Sequence, residues 1–154
     1  MRIIRGDRSH LEQIMEIWKE FVEYHQRIDP YYGTIKGGEI KFGEYILHRM
    51  DQADSQVLVA TEEDRLIGYC LCYIQPRAPV FTETMVGVLS DLAVKAEFRG
   101  GGAGGALVEE SLSWLRSQGI KRVELRTSAR NDPAIEFYLK HGFWVYDHMM
   151  TREL

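Results

Sequence analysis

The stretch of this sequence that most clearly indicates a binding site is a glycine-rich turn at residues 99–106, which reads Arg-Gly-Gly-Gly-Ala-Gly-Gly-Ala. Glycines leave the backbone N–H groups accessible to a ligand, because they carry no side chain. A helical pattern follows from Leu107, so the turn should bring unpaired N–H groups and the positive end of a helix dipole together. The expected ligand of such a turn is a phosphate or pyrophosphate.

Three phosphate-binding patterns compete for this turn. A P-loop requires a lysine after its last glycine, and none follows here. The dinucleotide fingerprint Gly-x-Gly-x-x-Gly also fits, with Glu124 at the distance of a ribose-binding acid, but too little chain follows for a doubly wound nucleotide fold. The third pattern is Arg-x-x-Gly-x-Gly, which Arg99, Gly102 and Gly104 satisfy.

A second motif follows the turn and reads Asn-x-x-Ala-x-x-x-Tyr-x-x-x-Gly-Phe. Its members are Asn131, Ala134, Tyr138, Gly142 and Phe143. With both motifs in this order, the sequence resembles the GNAT superfamily of N-acetyltransferases over essentially its full length. The resemblance implies an α/β (α+β) GNAT fold, in which helices flank one mixed central sheet, and acetyl-coenzyme A as the cofactor.

The resemblance also implies which residues hold acetyl-coenzyme A. Backbone groups of the strand before the turn, at Leu92, Ala93 and Val94, should bond the pantetheine arm like an added strand. The turn should hold the pyrophosphate through Arg99, Gly100, Gly101, Gly102, Ala103, Gly104 and Gly105. Asn131 resembles the residue that fixes the pantetheine, and its place two residues before Pro133 also suits a helix cap.

The implied reaction is direct attack of an amine on the thioester in a ternary complex, without a covalent enzyme intermediate. Tyr138 matches the tyrosine that protonates the leaving sulfur, and a phenol with a reference pKa of about 10 is protonated at neutral pH. The ammonium form of the acceptor must lose a proton before it attacks. Asp91 is the expected base, or else an acid that only orients the amine, and Glu83 is a weaker candidate.

The acceptor pocket is expected in the segment after the first helix, where ionisable and aromatic residues are dense. A cation could be surrounded there by carboxylate and ring faces of Tyr24, His25, Asp29, Tyr31 and Tyr32. Arg126 instead favours an acceptor that carries an acid, and it replaces the glutamate base of ribosomal-protein acetyltransferases. The indications for a cationic acceptor and for an acid-bearing acceptor conflict. Residues 24–33 could also be an ordinary ordered loop that does not line the acceptor pocket.

The elements that must position these residues follow from the hydrophobic periodicity. A strand at residues 2–5 and an amphipathic helix from Leu11 should precede the loop at 24–33. Thereafter the pattern predicts a helix at 38–50, a hairpin of strands at 56–61 and 65–74, a strand at 84–94, a helix ending near Gly119, a strand at 121–127, a helix with Pro133 in its first turn, and a strand at 144–153.

Composition limits the class of protein. A length of 154 residues with 45% hydrophobic residues predicts one domain that covers residues 1–154. The net charge of −4 argues against nucleic acid and anionic membranes as partners. Cys70 and Cys72, neighbours on one strand face, make neither a disulfide nor a metal pattern and suit a reducing compartment.

No signal segment or membrane span is visible, so the predicted location is the cytoplasm. The resemblance adds a possible homodimer with a small-molecule or peptide amine as substrate, and no metal. Two other functions stay open at this point: a non-catalytic acyl-coenzyme A sensing module on the same fold, and a dinucleotide-binding protein that takes NAD.

Overall fold

The computed structural model describes residues 1–154 and is built on one mixed sheet with the strand order β1-β2-β3-β4-β5. The strands are β1 (Arg2–Arg5), β2 (Ser55–Glu62), β3 (Arg65–Pro76), β4 (Met85–Val94) and β5 (Val123–Leu125). Strands β1 to β4 pair antiparallel, and β5 runs parallel to β4. The central strands read as nearly continuous apolar runs because helices cover both of their faces.

Four helices cover the two faces of the sheet. They are α1 (Leu11–Ile28), α2 (Gly38–Asp51), α3 (Ala103–Ser117) and α4 (Asp132–Lys140). Helices α1 and α2 pack on one face, here called the front face, against Tyr69 and Leu71. Helices α3 and α4 pack on the opposite back face, where Cys70 and Leu89 lie. The predicted mixed sheet flanked by helices is therefore confirmed.

Strand β4 contains a β-bulge at Ser90. Leu89 pairs with Cys72 and Asp91 pairs with Leu71, so Ser90 has no residue opposite it on β3. One extra residue reverses which face the following side chains occupy. Asp91 consequently shares the front face with its partner Leu71, whereas a regular strand would have placed it on the back face.

Strands β4 and β5 separate just after this bulge. Their pairing covers only Gly87, Val88 and Leu89 on β4. Residues 91–94 of β4 pair with β3 on one side and have no strand on the other. The sheet therefore contains an opening in which the backbone N–H and C=O groups of one strand edge are unpaired.

Most predicted elements are confirmed, but the boundaries of two differ. Helix α1 continues to Ile28 because no residue before Asp29-Pro30 breaks a helix, so Tyr24 and His25 are helical and the predicted loop starts later. Strand β5 has three residues in place of the predicted seven, because the chain turns away from β4 after Leu125. None of the four helices has the length and apolar character needed to cross a bilayer.

The predicted strand at residues 144–153 is wrong for the single chain. Residues 144–154 form no strand and make no backbone–backbone hydrogen bond. An alternating apolar pattern becomes a strand only beside an edge that it can pair with, and the three-residue β5 offers little edge. The segment leaves large apolar side chains exposed, namely Trp144, Val145, Tyr146, Met149, Met150 and Leu154.

Candidate active site

The glycine turn connects β4 to α3 and presents unpaired amides. Gly100 and Gly102 have φ angles of 80° and 87°, a region that favours glycine. A Cβ on either residue would meet nothing within 4 Å, so the space beside the turn is open. The amides in the first turn of α3 lack intrahelical acceptors, since helical bonding begins with Ala106 N–H donating to the Gly102 carbonyl at 3.0 Å. This geometry fits a pyrophosphate.

Two glycines of the turn have a packing role that the sequence did not reveal. A Cβ at Gly105 would lie 2.8 Å from Nε2 of His141, and one at Gly104 would lie 3.4 Å from the ring of Phe137. The His141 ring is held by a 2.8 Å hydrogen bond from Nδ1 to the Phe137 carbonyl. Gly105 therefore lets α3 and α4 approach closely, while a Cβ at Gly104 would just touch the Phe137 ring.

Three side chains in contact with one another connect the end of β4 to the start of α4. Arg99 Nε donates to the Val94 carbonyl at 3.1 Å, and its guanidinium carbon lies 5.6 Å from the ring centroid of Tyr24. The Tyr24 hydroxyl donates to Asn131 Oδ1 at 3.1 Å. Asn131 also caps α4 by accepting from the Ala134 N–H at 3.4 Å, so its amide nitrogen is the group left for a cofactor.

Tyr138 faces the opening from α4 on the back-face side. Its ring is fixed edge-on between Phe137 and Phe143, with centroid distances of 5.2 Å and 5.6 Å. Burial raises the pKa of Tyr138 above its ordinary value of 10.0, and the nearby Cys70 and Asp91 act in the same direction. The hydroxyl therefore carries its proton at every physiological pH and can donate it.

Asp91 faces the opening from the front side. Burial raises the pKa of this carboxyl, while a hydrogen bond from Ser90 and the charge of His25 oppose the rise. His25 bonds through Nδ1 to the Phe21 carbonyl at 2.8 Å, and because a carbonyl only accepts, Nδ1 carries the proton and Nε2 is left free. A partly buried carboxyl with a raised pKa beside an imidazole is suited to take up a proton.

The structure divides the five predicted acceptor residues. The rings of Tyr24 and Tyr32 meet His25 edge-on at 5.6 Å and 5.4 Å. Asp29 accepts from the Tyr31 N–H at 3.0 Å and lies 3.7 Å from Arg130 Nη1, so its carboxylate already has partners. Tyr31 is 92% exposed. Tyr24 and Tyr32 thus gather around His25, whose charge acts on Asp91, whereas Tyr31 and Asp29 do not join them.

The front face also contains residues that sequence reasoning missed. Tyr69 and Tyr73 share this face of β3, and the Tyr69 hydroxyl is buried without a hydrogen-bond partner. The guanidinium carbon of Arg49 lies 4.1 Å from the ring centroid of Tyr73, and Arg49 Nε donates to the Tyr45 hydroxyl at 3.3 Å. The spacing of the two tyrosines on an otherwise apolar strand was the one available signal.

Other reactive side chains lie away from the opening or are inert. Glu83 precedes β4, pairs with Lys121 at 3.0 Å, and is separated from Asp91 by roughly 25 Å of extended chain, so it does not serve as the base. Cys70 and Cys72 are buried free thiols, and burial raises the pKa of Cys72 to about 11. Neither is a nucleophile at neutral pH.

Comparison with known proteins places these features in a family. Residues 11–143 match the model of the Acetyltransferase (GNAT) family. Among curated proteins, N-alpha-acetyltransferase 30 of Schizosaccharomyces pombe is 29% identical over 105 residues, which cover 68% of this chain. The same match spans 66% of that protein, slightly less than two thirds of its length.

Solved structures share the fold at low sequence identity. A tetramutant of the BH1408 protein from Bacillus halodurans superimposes with a TM-score of 0.90 at 20% identity, over 100% of both chains. The acetyltransferase AAC(6')-Iy, in complex with the bisubstrate analogue CoA-S-monomethyl-acetylneamine, gives a TM-score of 0.75 at 18% identity, over 99% of this chain and 97% of that one.

Proposed function

This chain belongs to the GNAT family of acetyltransferases, and we propose that it acetylates the primary amine of a small molecule or peptide by direct attack in a ternary complex. It is an N-acetyltransferase that depends on acetyl-coenzyme A. The acceptor, the order of events and the residue roles are the proposal. One observation carries it: the opening between β4 and β5 has an unpaired strand edge and the glycine turn on one side and Asp91 on the other.

Acetyl-coenzyme A supplies a thioester whose carbonyl carbon accepts the amine. The edge of β4 at Leu92, Ala93 and Val94 would bind the pantetheine arm, because it lacks a strand partner on this side and only the Val94 carbonyl is occupied, by Arg99 Nε. The free amides among residues 100–105 would hold the pyrophosphate, with charge-assisted hydrogen bonds of about 1.5–3 kcal/mol each. An amide of Leu92 or Ala93 would stabilise the negative charge that develops on the carbonyl oxygen.

Tyr138 is proposed as the general acid that protonates the leaving sulfur. Its raised pKa keeps the hydroxyl protonated, and its position on α4 puts it on the same side of the sheet as the glycine turn. Asn131 would orient the pantetheine through its free amide nitrogen while its oxygen caps α4.

Asp91 is proposed as the base for the ammonium of the acceptor. The bulge at Ser90 turns this carboxyl to the front face, so the proton would leave on the side opposite the cofactor. Tyr24, His25 and Tyr32 would form the adjoining wall of the acceptor site. The absence of a reactive thiol near the opening supports direct transfer, as does the bisubstrate analogue bound to AAC(6')-Iy.

We further propose that residues 1–154 act as one domain, and that the chain works as a homodimer in the cytoplasm. The exposed apolar segment at residues 144–154 supports self-association, because patches of this kind mark contact surfaces. The two buried free thiols support a reducing compartment.

The first experiment is calorimetric titration of the purified protein with acetyl-coenzyme A and, separately, with NAD, followed by thiol release against a panel of amines. Binding of acetyl-coenzyme A with amine-dependent thiol release is expected. Binding without release across the panel would favour a non-catalytic acyl-coenzyme A module, and binding of NAD alone would contradict the cofactor assignment.

A further inference from the structure

Arg49 presents a fixed guanidinium on the front face of the sheet. Its guanidinium carbon lies 4.1 Å from the ring centroid of Tyr73 and 5.4 Å from that of Tyr45. Its Nε donates to the Tyr45 hydroxyl at 3.3 Å. Two rings and one hydrogen bond therefore hold the group in place, and the two terminal nitrogens are left to donate to a ligand.

Arg126 follows directly on the last residue of β5. Leu125 pairs with Leu89 and packs on the back face, and Arg126 lies where the chain leaves the sheet, next to the bulge on β4. Burial raises the pKa of Tyr73, and the positive charges of Arg49 and Arg126 lower it. Both guanidiniums therefore lie within electrostatic reach of one tyrosine hydroxyl.

Neither guanidinium is neutralised by the protein. The six ion pairs of the chain leave out both Arg49 and Arg126, so no carboxylate oxygen lies within 4.0 Å of either. Glu124 shares the front face of β5, and it too forms no ion pair with them. A chain of net charge −4 thus has two unpaired guanidiniums, against the unpaired carboxylate of Glu124, on this side of the sheet.

The charges on the front face distinguish a polycationic acceptor from an acceptor that carries an acid. A polycationic acceptor would need free carboxylates in the segment after α1, but Asp29 is paired with Arg130 at 3.7 Å and Tyr31 is 92% exposed. An acceptor with an acid would need free cations on the side of the sheet to which Asp91 belongs, and Arg49 and Arg126, which like Asp91 act on the Tyr73 hydroxyl, provide them. The arrangement of charges therefore favours the second kind of acceptor.

We infer that the acceptor is a zwitterionic small molecule whose primary amine lies at Asp91 and whose anionic group, a carboxylate or a phosphate, is bound by Arg49 and Arg126. The inference rests on the proposed function, because it names the class of amine that the same site acetylates. Guanidinium groups suit this task because their paired N–H donors match both carboxylate and phosphate oxygens.

Matched acceptor pairs test the inference through thiol release. The carboxylate pair is 4-aminobutyrate against butylamine, the phosphate pair is O-phosphoethanolamine against ethanolamine, and spermidine represents a polycation. We expect the anionic member of one pair to have a kcat/KM about tenfold or more above its neutral partner. The pair that shows the preference identifies the anion.

Arg126→Gln should bring this preference close to one, mainly by raising KM for the anionic acceptor. Arg49→Gln should act in the same direction. The control is Arg116→Gln at the end of α3, which changes the net charge equally and should keep the preference. Preference for neutral amines or spermidine, or a ratio that neither site variant changes, would overturn the inference.

Failure of the proposed function has a different signature. If no acceptor gives thiol release, the same pairs are titrated calorimetrically into the protein loaded with coenzyme A. Tighter binding of the anionic member that is lost in Arg126→Gln supports the inference even then. Equal binding of both members overturns it.

Discussion

At the scale of single residues, burial raises the pKa of two side chains that serve different tasks, the Tyr138 hydroxyl and the Asp91 carboxyl. Burial keeps the Tyr138 hydroxyl protonated, which suits a proton donor. Burial also raises the pKa of Asp91 toward the range in which a carboxylate takes a proton more readily. The two groups lie on opposite sides of one opening. In the proposed reaction, Tyr138 would give a proton to the leaving sulfur on one side, and Asp91 would take a proton from the acceptor ammonium on the other.

The role of Tyr138 predicts a selective loss. Tyr138→Phe should lower kcat by about 100-fold or more, because the general acid is removed while the ring packing remains. Affinity for acetyl-coenzyme A should change by less than about twofold. Steady-state kinetics and calorimetry measure the two effects, with Tyr146→Phe on the exposed C-terminal segment as the control. Equal losses in turnover and affinity would make Tyr138 a structural residue.

The raised pKa of Asp91 links activity to stability. A carboxyl whose pKa is raised in the folded state stabilises the fold below its unfolded value, near 3.8, and this contribution is lost as the pH rises through the folded pKa. Asp91→Asn should therefore raise Tm at pH 7 while it removes the acidic limb of the kcat/KM profile. The exposed Asp147→Asn should change neither. A lower Tm together with lost activity would contradict the assignment.

At the scale of elements, the opening exists because three neighbouring elements depart from regular geometry at one place. Strand β4 has a bulge at Ser90, and β5 ends at Leu125. Helix α3 begins at Ala103, directly after Gly102, whose backbone is in the left-handed region. Each departure exposes backbone groups that a regular sheet or helix would pair. The cofactor site is thus mainly a backbone site, which explains why glycines dominate it.

Two glycines separate backbone strain from ligand binding. Gly102 and Gly119 both have positive φ angles, 87° and 77°, and a Cβ on either would meet nothing within 4 Å. Gly102→Leu and Gly119→Leu should each cost about 1–2 kcal/mol in the free energy of unfolding, because L-residues avoid this conformation. Acetyl-coenzyme A affinity should be lost only in Gly102→Leu. Unchanged affinity in both variants would refute the pyrophosphate assignment.

At the scale of the whole molecule, one segment remains without a role in the single chain. Residues 144–154 contribute no backbone–backbone hydrogen bond and carry the densest run of exposed apolar side chains. Tyr146 contacts the rest of the chain, its ring centroid 3.9 Å from the guanidinium carbon of Arg122 just before β5. Association with a second copy would remove this surface from water.

The dimer proposal predicts a concentration-independent mass of two chains in light scattering at micromolar protein. Trp144→Glu should shift this mass to that of one chain, since a charge replaces a 69% exposed apolar ring in the proposed contact. Val80→Glu, at an 83% exposed apolar position before β4, should leave the mass unchanged. A wild-type mass of one chain would show that residues 144–154 do not mediate self-association.

The sequence by itself determined the features that depend on local signals. Periodicity identified four helices and the hairpin of β2 and β3, because burial of one face repeats every few residues along the chain. The glycine turn and the second motif fixed the family, since both are short runs with their own backbone geometry. The sequence alone therefore predicts site roles for Asn131, Tyr138 and Asp91.

Only the tertiary structure decided the features that depend on contacts between distant residues. The bulge that turns Asp91 to the front face results from register with β3, and the close approach at Gly105 results from His141 on another helix. The proximity of Arg49 to Tyr73, and the lack of an edge for residues 144–154, depend on elements far apart in sequence. Local patterns carry no information about such pairings, because they arise only when the sheet assembles.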